Sequence, residues 1–187
     1  MSRREIRISG FGGQGVVLSG TILGRAGSIY DNGFATLTQN YGPEARGGSC
    51  TAEVVISDES IDYPYVTSPK VTIILSQEAY NNFGHDPTGE TLIIIDPDLV
   101  NADPSQKPTP LSIPANHMAR EMGRVVVANI IMLGFLAAVG NVVSPEALRN
   151  SILASVPEGT GDFNLKAFDL GYAYGLEHGG RGDETAS

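Results

Sequence analysis

Two glycine-rich segments follow two consecutive predicted strands, and this arrangement strongly constrains the fold. Alternating charged and apolar residues predict a first strand over Arg4–Ser9, and residues 10–15 then read Gly-Phe-Gly-Gly-Gln-Gly. Apolar residues at helical spacing predict a helix over about 14–30. A second strand is predicted over Phe34–Gln39, followed by the glycine-rich segment Tyr41–Gly48. A strand, a glycine turn, a helix and another strand indicate an α/β sheet, whose ligands bind beyond the carboxyl ends of the strands.

The strands predicted further along the chain support this fold class. Val71–Leu75 and Thr91–Ile95 are continuous apolar runs, which are typical of strands buried on both faces. A third strand over Thr51–Ile56 follows so soon after the second that it indicates a hairpin-like insertion. We therefore predict an α/β fold: one Rossmann-like domain with a mainly parallel sheet flanked by helices.

The C-terminal third is predicted to be helical. Arg124–Val139 is apolar almost all round, so we expect other elements or a partner subunit to cover it. Ser144-Pro145 predicts the start of another helix, with serine as N-cap and proline at the first helical position. Leu165–Leu176 forms the last predicted helix. The domain should span residues 1–178, with 179–187 as a frayed tail.

Composition excludes several classes of function. The formal net charge is −9 and Lys and Arg are not clustered, which argues against nucleic-acid binding. No apolar segment reaches the ~20 residues that span a bilayer, and no signal peptide precedes the first strand, so we expect a cytoplasmic protein without membrane contact. The single cysteine, Cys50, excludes an internal disulfide and a four-cysteine site, and is interpreted as a small half-buried residue.

The first loop matches the dinucleotide pattern G-x-G-x-x-G at Gly10, Gly12 and Gly15. That fingerprint also needs a carboxylate at the end of the second strand, where this chain has Thr38-Gln39-Asn40-Tyr41. A Walker lysine is absent as well. The glycines could simply permit a tight turn, but we favour a bound anionic group or a partner segment at the helix N-terminus.

The second loop places Glu44 and Arg46 between Pro43 and the pair Gly47-Gly48. As a surface ion pair, these two side chains would contribute at most ~1 kcal/mol. We favour Arg46 as a clamp for a carboxylate or phosphate, with Glu44 contacting a partner loop.

The remaining polar residues do not form a catalytic group. His85, His117 and His178 lack partners at metal-ligand spacing, and no nucleophile–base pair can be identified. Ser76-Gln77-Glu78 could line the crevice or could cap a helix, and Asn129 is interpreted as a core amide. We therefore predict no catalytic residue and no metal ligand, a profile that fits a subunit completing an active site elsewhere.

Four segments resemble the γ subunits of the 2-oxoacid:ferredoxin oxidoreductases. They are Gly10–Val16, Gln39–Gly48, Ile61–Pro64 and Ser76–Tyr80, within a likeness from about Ile6 to Pro157. The resemblance points to the 2-oxoglutarate branch, with the 2-oxoisovalerate enzymes nearby. It implies a complex that oxidatively decarboxylates a 2-oxoacid with thiamine diphosphate, coenzyme A and iron–sulfur clusters, and that passes electrons to ferredoxin.

The resemblance also implies which parts belong to other chains. The α, β and ferredoxin-like δ subunits would hold the thiamine diphosphate and the clusters, and this chain alone would hold no cofactor. Its contribution would be the loop residues nearest the partners and the cofactor path: Gly12, Gly13, Gln14, Gly15, Glu44 and Arg46. We expect the isolated chain to be inactive and to self-associate. Two alternatives remain, a free-standing nucleotide-binding oxidoreductase domain and a purely structural assembly subunit.

Overall fold

A six-stranded mixed sheet forms the centre of the fold. The computed structural model of the protein describes residues 3–43, 47–86, 88–106 and 108–179. The strands are β1 (Arg4–Phe11), β2 (Phe34–Tyr41), β3 (Ser49–Ser57), β4 (Val71–Ile74), β5 (Leu92–Ile95) and β6 (Leu111–Ser112). Their order across the sheet is β2-β3-β1-β4-β5-β6.

The sheet is mainly parallel, as predicted, with one reversed strand. β1 pairs in parallel with β4, β4 with β5, and β5 with β6. β3 runs antiparallel to both of its neighbours, β1 and β2. The hairpin-like insertion is thereby confirmed. β6 lies inside the segment 102–114 that its prolines had marked as irregular, and two residues are too few to produce a strand pattern.

In the part of the chain that the structure describes, six α-helices flank the sheet. They are α1 (Val16–Arg25), α2 (Gln77–Phe83), α3 (Ala115–Glu121), α4 (Ala128–Val139), α5 (Pro145–Leu153) and α6 (Gly161–His178). The predicted first helix continues past α1 as one π-helical turn, Ala26–Tyr30, and ends where Asn32 adopts a left-handed conformation with φ 56°. Among the described residues, none of the helices is both long and apolar enough to cross a bilayer.

One face of the sheet carries the main core, beneath α1, α4, α5 and α6. The middle of α4 is fully buried there, so the cover expected for this apolar helix comes from within the chain. Its closest neighbour is α6, where Gly171 faces the backbone of Ile131 and Gly134 faces that of Phe168. Such contacts require glycine because any Cβ would enter the opposite helix.

The other face of the sheet is divided in two. Over β4 and β5 it is apolar and lies under α2, with Ile74, Tyr80 and Ile93 in a second small core. Over β1, β3 and β2 the same face is polar, and side chains of neighbouring strands pair with one another. Arg7 forms an ion pair of 2.8 Å with Glu53, a geometry that offsets much of the cost of their partial burial.

A buried carboxylate anchors the chain segment that crosses this polar half. Glu5 is 5% exposed and accepts hydrogen bonds from the backbone N–H groups of Thr67 (2.5 Å) and Ser68 (2.7 Å) and from Arg3 Nε (2.6 Å). Burial by itself raises the pKa of Glu5. The hydrogen bonds from Arg3, Ser68 and Thr67 outweigh burial, so the pKa lies below its usual value.

The substitution Glu5→Gln should lower the free energy of unfolding at pH 7 by about 1.5–3 kcal/mol, because it removes the charge that these donors stabilise. The pKa of Glu5 is lower in the folded state, so its contribution is full above the unfolded-state pKa of ~4.3 and is lost as the pH falls through the folded-state value. Urea unfolding of both proteins between pH 7 and pH 3 would measure this. A stability difference that does not shrink in acid would contradict it.

Candidate functional site

The two glycine loops meet at the carboxyl edge of the sheet. The backbone N–H of Gly12 donates to the carbonyl of Gly48 at 2.9 Å. Gly42 N–H donates to Ser49 O at 2.7 Å and closes the β2–β3 hairpin beside the end of β1. Because β3 runs back along β1, its first residues pair with the last residues of β1, and this brings the loops into contact.

Several of these glycines have conformations that other residues avoid. Gly13, Gly15 and Gly47 have φ values of 95°, 75° and 69°. Gly15 is constrained a second time, since a Cβ there would lie 2.5 Å from Nδ2 of Asn129. Positive φ values, together with the close approach of Asn129 to Gly15, therefore account for glycine at these positions.

The side chain of Gln14 holds the first loop in place. Its Oε1 accepts from the backbone N–H of Phe11 at 2.6 Å, and its Nε2 donates to the carbonyl of Leu75 at 2.7 Å. These bonds connect the end of β1 to the end of β4. A Cβ at Gly10 would overlap this side chain. The backbone N–H of Gln14 also donates within the loop, to the carbonyl of Phe11 at 3.2 Å. Gln14 therefore serves chiefly to fix the loop.

A cleft of about 300 Å³ opens next to this loop, beyond the carboxyl ends of β1, β4 and β5. Leu75, Leu99, Val125 and Val126 contribute apolar surface to it. Val125 and Val126 are 48% and 76% exposed, so they form an open apolar rim. An α/β sheet commonly binds its ligand at this position.

The polar wall of the cleft contains Asp96, which is completely buried. One carboxylate oxygen accepts from the backbone and side-chain N–H groups of Asn116, both at 2.8 Å, and the other from Asp98 N–H at 2.9 Å. Neither Asp96 nor Asn116 is among the site residues predicted from the sequence. A polar residue directly after an apolar strand was the available signal, because that is where strands meet the crevice.

Asn129 also lines the cleft, as part of α4. It is 4% exposed, and its Nδ2 lies 3.5 Å from the carbonyl of Gly15 and 3.4 Å from Oγ of Ser19. Both bonds are long, so they are weak. The amide connects α4 to the start of α1, in agreement with its interpretation as a core amide.

Ser76 and Cys50, two further residues considered in the sequence analysis, have structural roles. Ser76 caps α2 by accepting from Ala79 N–H at 3.1 Å, which confirms the cap interpretation. Cys50 is 4% exposed, and burial raises its pKa, which keeps it a thiol. Glu44 and Arg46 lie outside the described residues, so their roles stay predictions.

Metal binding finds no support in the described part of the chain. Within it, His, Cys, Asp and Glu nowhere form a group of three or more that could hold an ion. The dinucleotide hypothesis is weakened by topology. Its ribose-binding carboxylate belongs at the end of the strand beside β1, and in this sheet the antiparallel β3 separates β1 from β2.

Several known proteins are similar to this chain in sequence and in structure. The model of the family described as pyruvate ferredoxin/flavodoxin oxidoreductase matches residues 5–174. The 2-oxoglutarate synthase subunit KorC of Methanocaldococcus jannaschii is 49% identical over 178 residues, which cover 94% of this chain and 95% of KorC.

Two solved structures have the same fold. The γ subunit of a keto/oxoacid ferredoxin oxidoreductase from Geobacter sulfurreducens superposes with a TM-score of 0.83 at 37% identity, covering 95% of this chain and 99% of that one. The 2-oxoglutarate:ferredoxin oxidoreductase of Magnetococcus marinus, solved with 2-oxoglutarate, coenzyme A and succinyl-CoA, matches with a TM-score of 0.78 at 25% identity. There the match covers 95% of this chain but 32% of a longer one.

Proposed function

This chain belongs to the pyruvate ferredoxin/flavodoxin oxidoreductase family as a γ-type subunit, and on that premise we propose that it serves a 2-oxoglutarate:ferredoxin oxidoreductase. The complex would convert 2-oxoglutarate and coenzyme A to succinyl-CoA and CO₂, and the electrons released would reduce ferredoxin. The 49% identity to a KorC subunit across nearly the whole of both chains supports this choice of branch.

The complex would contain α, β and ferredoxin-like δ subunits beside this chain. An iron–sulfur cluster needs about four thiolates, and this chain has only Cys50, so its residues do not fit a cluster. Thiamine diphosphate, which stabilises the carbanion formed on decarboxylation, would likewise be held by the partners. The described residues contain no group of ligands for the cation that accompanies a diphosphate. The cytoplasmic location stays a prediction.

The role proposed for this chain is to complete the coenzyme site from one side. The observation that supports it most is the contact between Gly12 and Gly48, since it places both glycine loops on one edge. The backbone N–H groups near Gly13 and Gly15 could receive a phosphate of coenzyme A where α1 begins. Arg46 would pair with a phosphate or carboxylate, and Glu44 would contact a partner loop.

No bond-breaking step is assigned to this chain, and the isolated chain should be inactive. Self-association of the isolated chain stays a prediction, although α4, one of the apolar helices that suggest it, is covered by α6 within the same chain. A purely structural role in assembly remains the competing hypothesis. Substitution of Arg46 distinguishes the two hypotheses, because only a site-completing role predicts a loss of coenzyme A-dependent turnover.

Substrate preference of the assembled complex tests the proposal. The chain would be co-expressed with the partner subunits of its own source organism and assayed with a dye acceptor, coenzyme A and several 2-oxoacids. We expect kcat/KM for 2-oxoglutarate to exceed that for pyruvate by about 100-fold or more, because a site built to pair the distal carboxylate rejects a substrate that lacks it. The same complex without this chain is the control.

If the complex preferred pyruvate or 2-oxoisovalerate, the assignment to the 2-oxoglutarate branch would be wrong. Turnover of any 2-oxoacid by the purified chain alone would refute its role as a completing subunit.

A further inference from the structure

Three exposed aromatic rings lie at the edge of the sheet opposite the glycine loops. Tyr63 and Tyr65 are 55% and 53% exposed, and their rings meet edge to face with centroids 5.4 Å apart. Phe34, at the start of β2, is 50% exposed. Two residues further along β2, Thr36 Oγ1 donates to the carbonyl of Pro64 at 3.0 Å and draws the tyrosine segment onto this strand. We call Phe34, Tyr63 and Tyr65 the aromatic platform.

The backbone beneath the platform is fixed by two charged side chains. The Arg3 guanidinium donates to the carbonyls of Tyr63 (2.7 Å) and Tyr65 (2.6 Å). The Glu5 carboxylate holds the N–H groups of Thr67 and Ser68, and Arg3 and Glu5 are themselves paired. A backbone that is held in advance loses little conformational freedom when a partner binds, and tyrosine is frequent among the residues that dominate binding energy.

The rim of the platform is acidic. Glu59 and Asp62 are both exposed, and Asp62 directly precedes Tyr63. Within the part of the chain that the structure describes, neither carboxylate has an ion-pair partner. The nearby arginines are already engaged, Arg3 with Glu5 and Arg4 with Asp58 at 3.4 Å. The surface therefore combines aromatic faces with uncompensated negative charge.

We propose that the aromatic platform is a docking surface for an arginine-bearing, net basic segment of a partner subunit. A guanidinium can stack on tyrosine faces and pair with carboxylates at the same time, which few other groups can do. The inference rests on the proposed function, which supplies the partner. In the Magnetococcus marinus protein the matching fold is about a third of a longer chain.

This role accounts for a motif that the coenzyme edge does not use. Ile61-Asp62-Tyr63-Pro64 is one of the segments behind the family resemblance. Because Arg3, just before β1, donates to the carbonyl of Tyr63, this segment lies at the opposite end of β1 from Gly12. A partner segment bound to the aromatic platform would hold the γ subunit in the complex and would not contact the coenzyme.

Cross-linking within the assembled complex tests the chemistry of the occupant. A photoreactive benzoylphenylalanine would replace Tyr63, and cross-linked peptides would be identified by mass spectrometry. We expect a peptide from another subunit with arginine beside the cross-link and net positive charge. A peptide without basic residues, or one from a second copy of this chain, would overturn the proposal.

Affinity measurements complement the cross-link. Tyr63→Ser with Tyr65→Ser should raise the Kd for the remaining subunits at least 30-fold, and Glu59→Lys with Asp62→Lys should raise it about 10-fold. Leu176→Ser, at a 66% exposed apolar residue on α6, is the matched control and should leave the Kd unchanged. Circular dichroism and thermal unfolding would check that every variant folds.

The outcomes separate this inference from the proposed function. If the wild-type chain fails to bind the partner subunits, the proposed function fails. If it binds and the platform variants bind equally well, only the docking surface is overturned.

Discussion

Replacing Gly171 with alanine should lower the free energy of unfolding by about 3 kcal/mol or more. Gly171 lies where α6 crosses α4, and a Cβ at this position would overlap the carbonyl oxygen of Ile131. That oxygen belongs to helix backbone and cannot rotate away, so the helices must separate and part of the core must repack. Thermal or urea unfolding of the purified variant would measure the loss.

A glycine elsewhere in the chain provides the matched control. Gly24 lies inside α1, and a Cβ there would meet only Ala35 Cβ at 4.0 Å, an ordinary contact. Gly24→Ala should therefore stabilise the protein by about 0.5–1 kcal/mol, because alanine restricts the unfolded chain and favours helix. If Gly171→Ala were as stable as Gly24→Ala, the close approach of α4 and α6 would be refuted.

Substituting Arg46 with alanine in the assembled complex should lower kcat/KM for coenzyme A by about 10- to 100-fold. On our hypothesis Arg46 donates charge-assisted hydrogen bonds to a phosphate or carboxylate, and alanine would remove them. Arg46→Lys should restore only part of the activity, since lysine keeps the charge without the planar fork. Steady-state assays with varied coenzyme A, after confirming assembly by size-exclusion chromatography, would measure this.

Substitution of the exposed Arg120 is the control for the loss of one positive charge. Arg120 on α3 has a 59% exposed side chain and lies 3.7 Å from Asp98, and Arg120→Ala should leave the kinetics unchanged. If the Arg46→Ala complex assembled normally and its kcat and its KM for coenzyme A were unaltered, the site-completing role would be refuted. A purely structural role in assembly would then be the better description of this chain.

The fold class could be predicted because its signals are local. The apolar runs that became β4 and β5 are short enough to be strands and too uniform to be exposed. Asn32 ends the first helix because it tolerates a left-handed conformation. Ser144 caps α5 by accepting from Ala147 N–H at 3.1 Å. Each of these effects involves residues close together in the chain, so pattern alone identifies them.

The functional edge could be predicted only in part. The glycines marked its position, but the bonds of Gln14 to Phe11 and Leu75 join residues from two different strands. The apolar rim at Val125 and Val126 was assigned to a buried helix, since periodicity does not distinguish a buried valine from one at the mouth of a cleft. The roles of Glu44 and Arg46 stay predictions.

Local chemistry in the chain determined the elements, the turns, the absence of cluster ligands and the family. Tertiary structure alone decided that β3 separates β1 from β2, which brings Gly12 to Gly48 and removes the strand end that a dinucleotide would need. It also decided that Arg3 and Glu5 fix the segment of Tyr63 and Tyr65, some sixty positions away in the chain. Pairing energies between distant residues depend on which segments become neighbours, and residue order does not specify neighbours until the chain has folded.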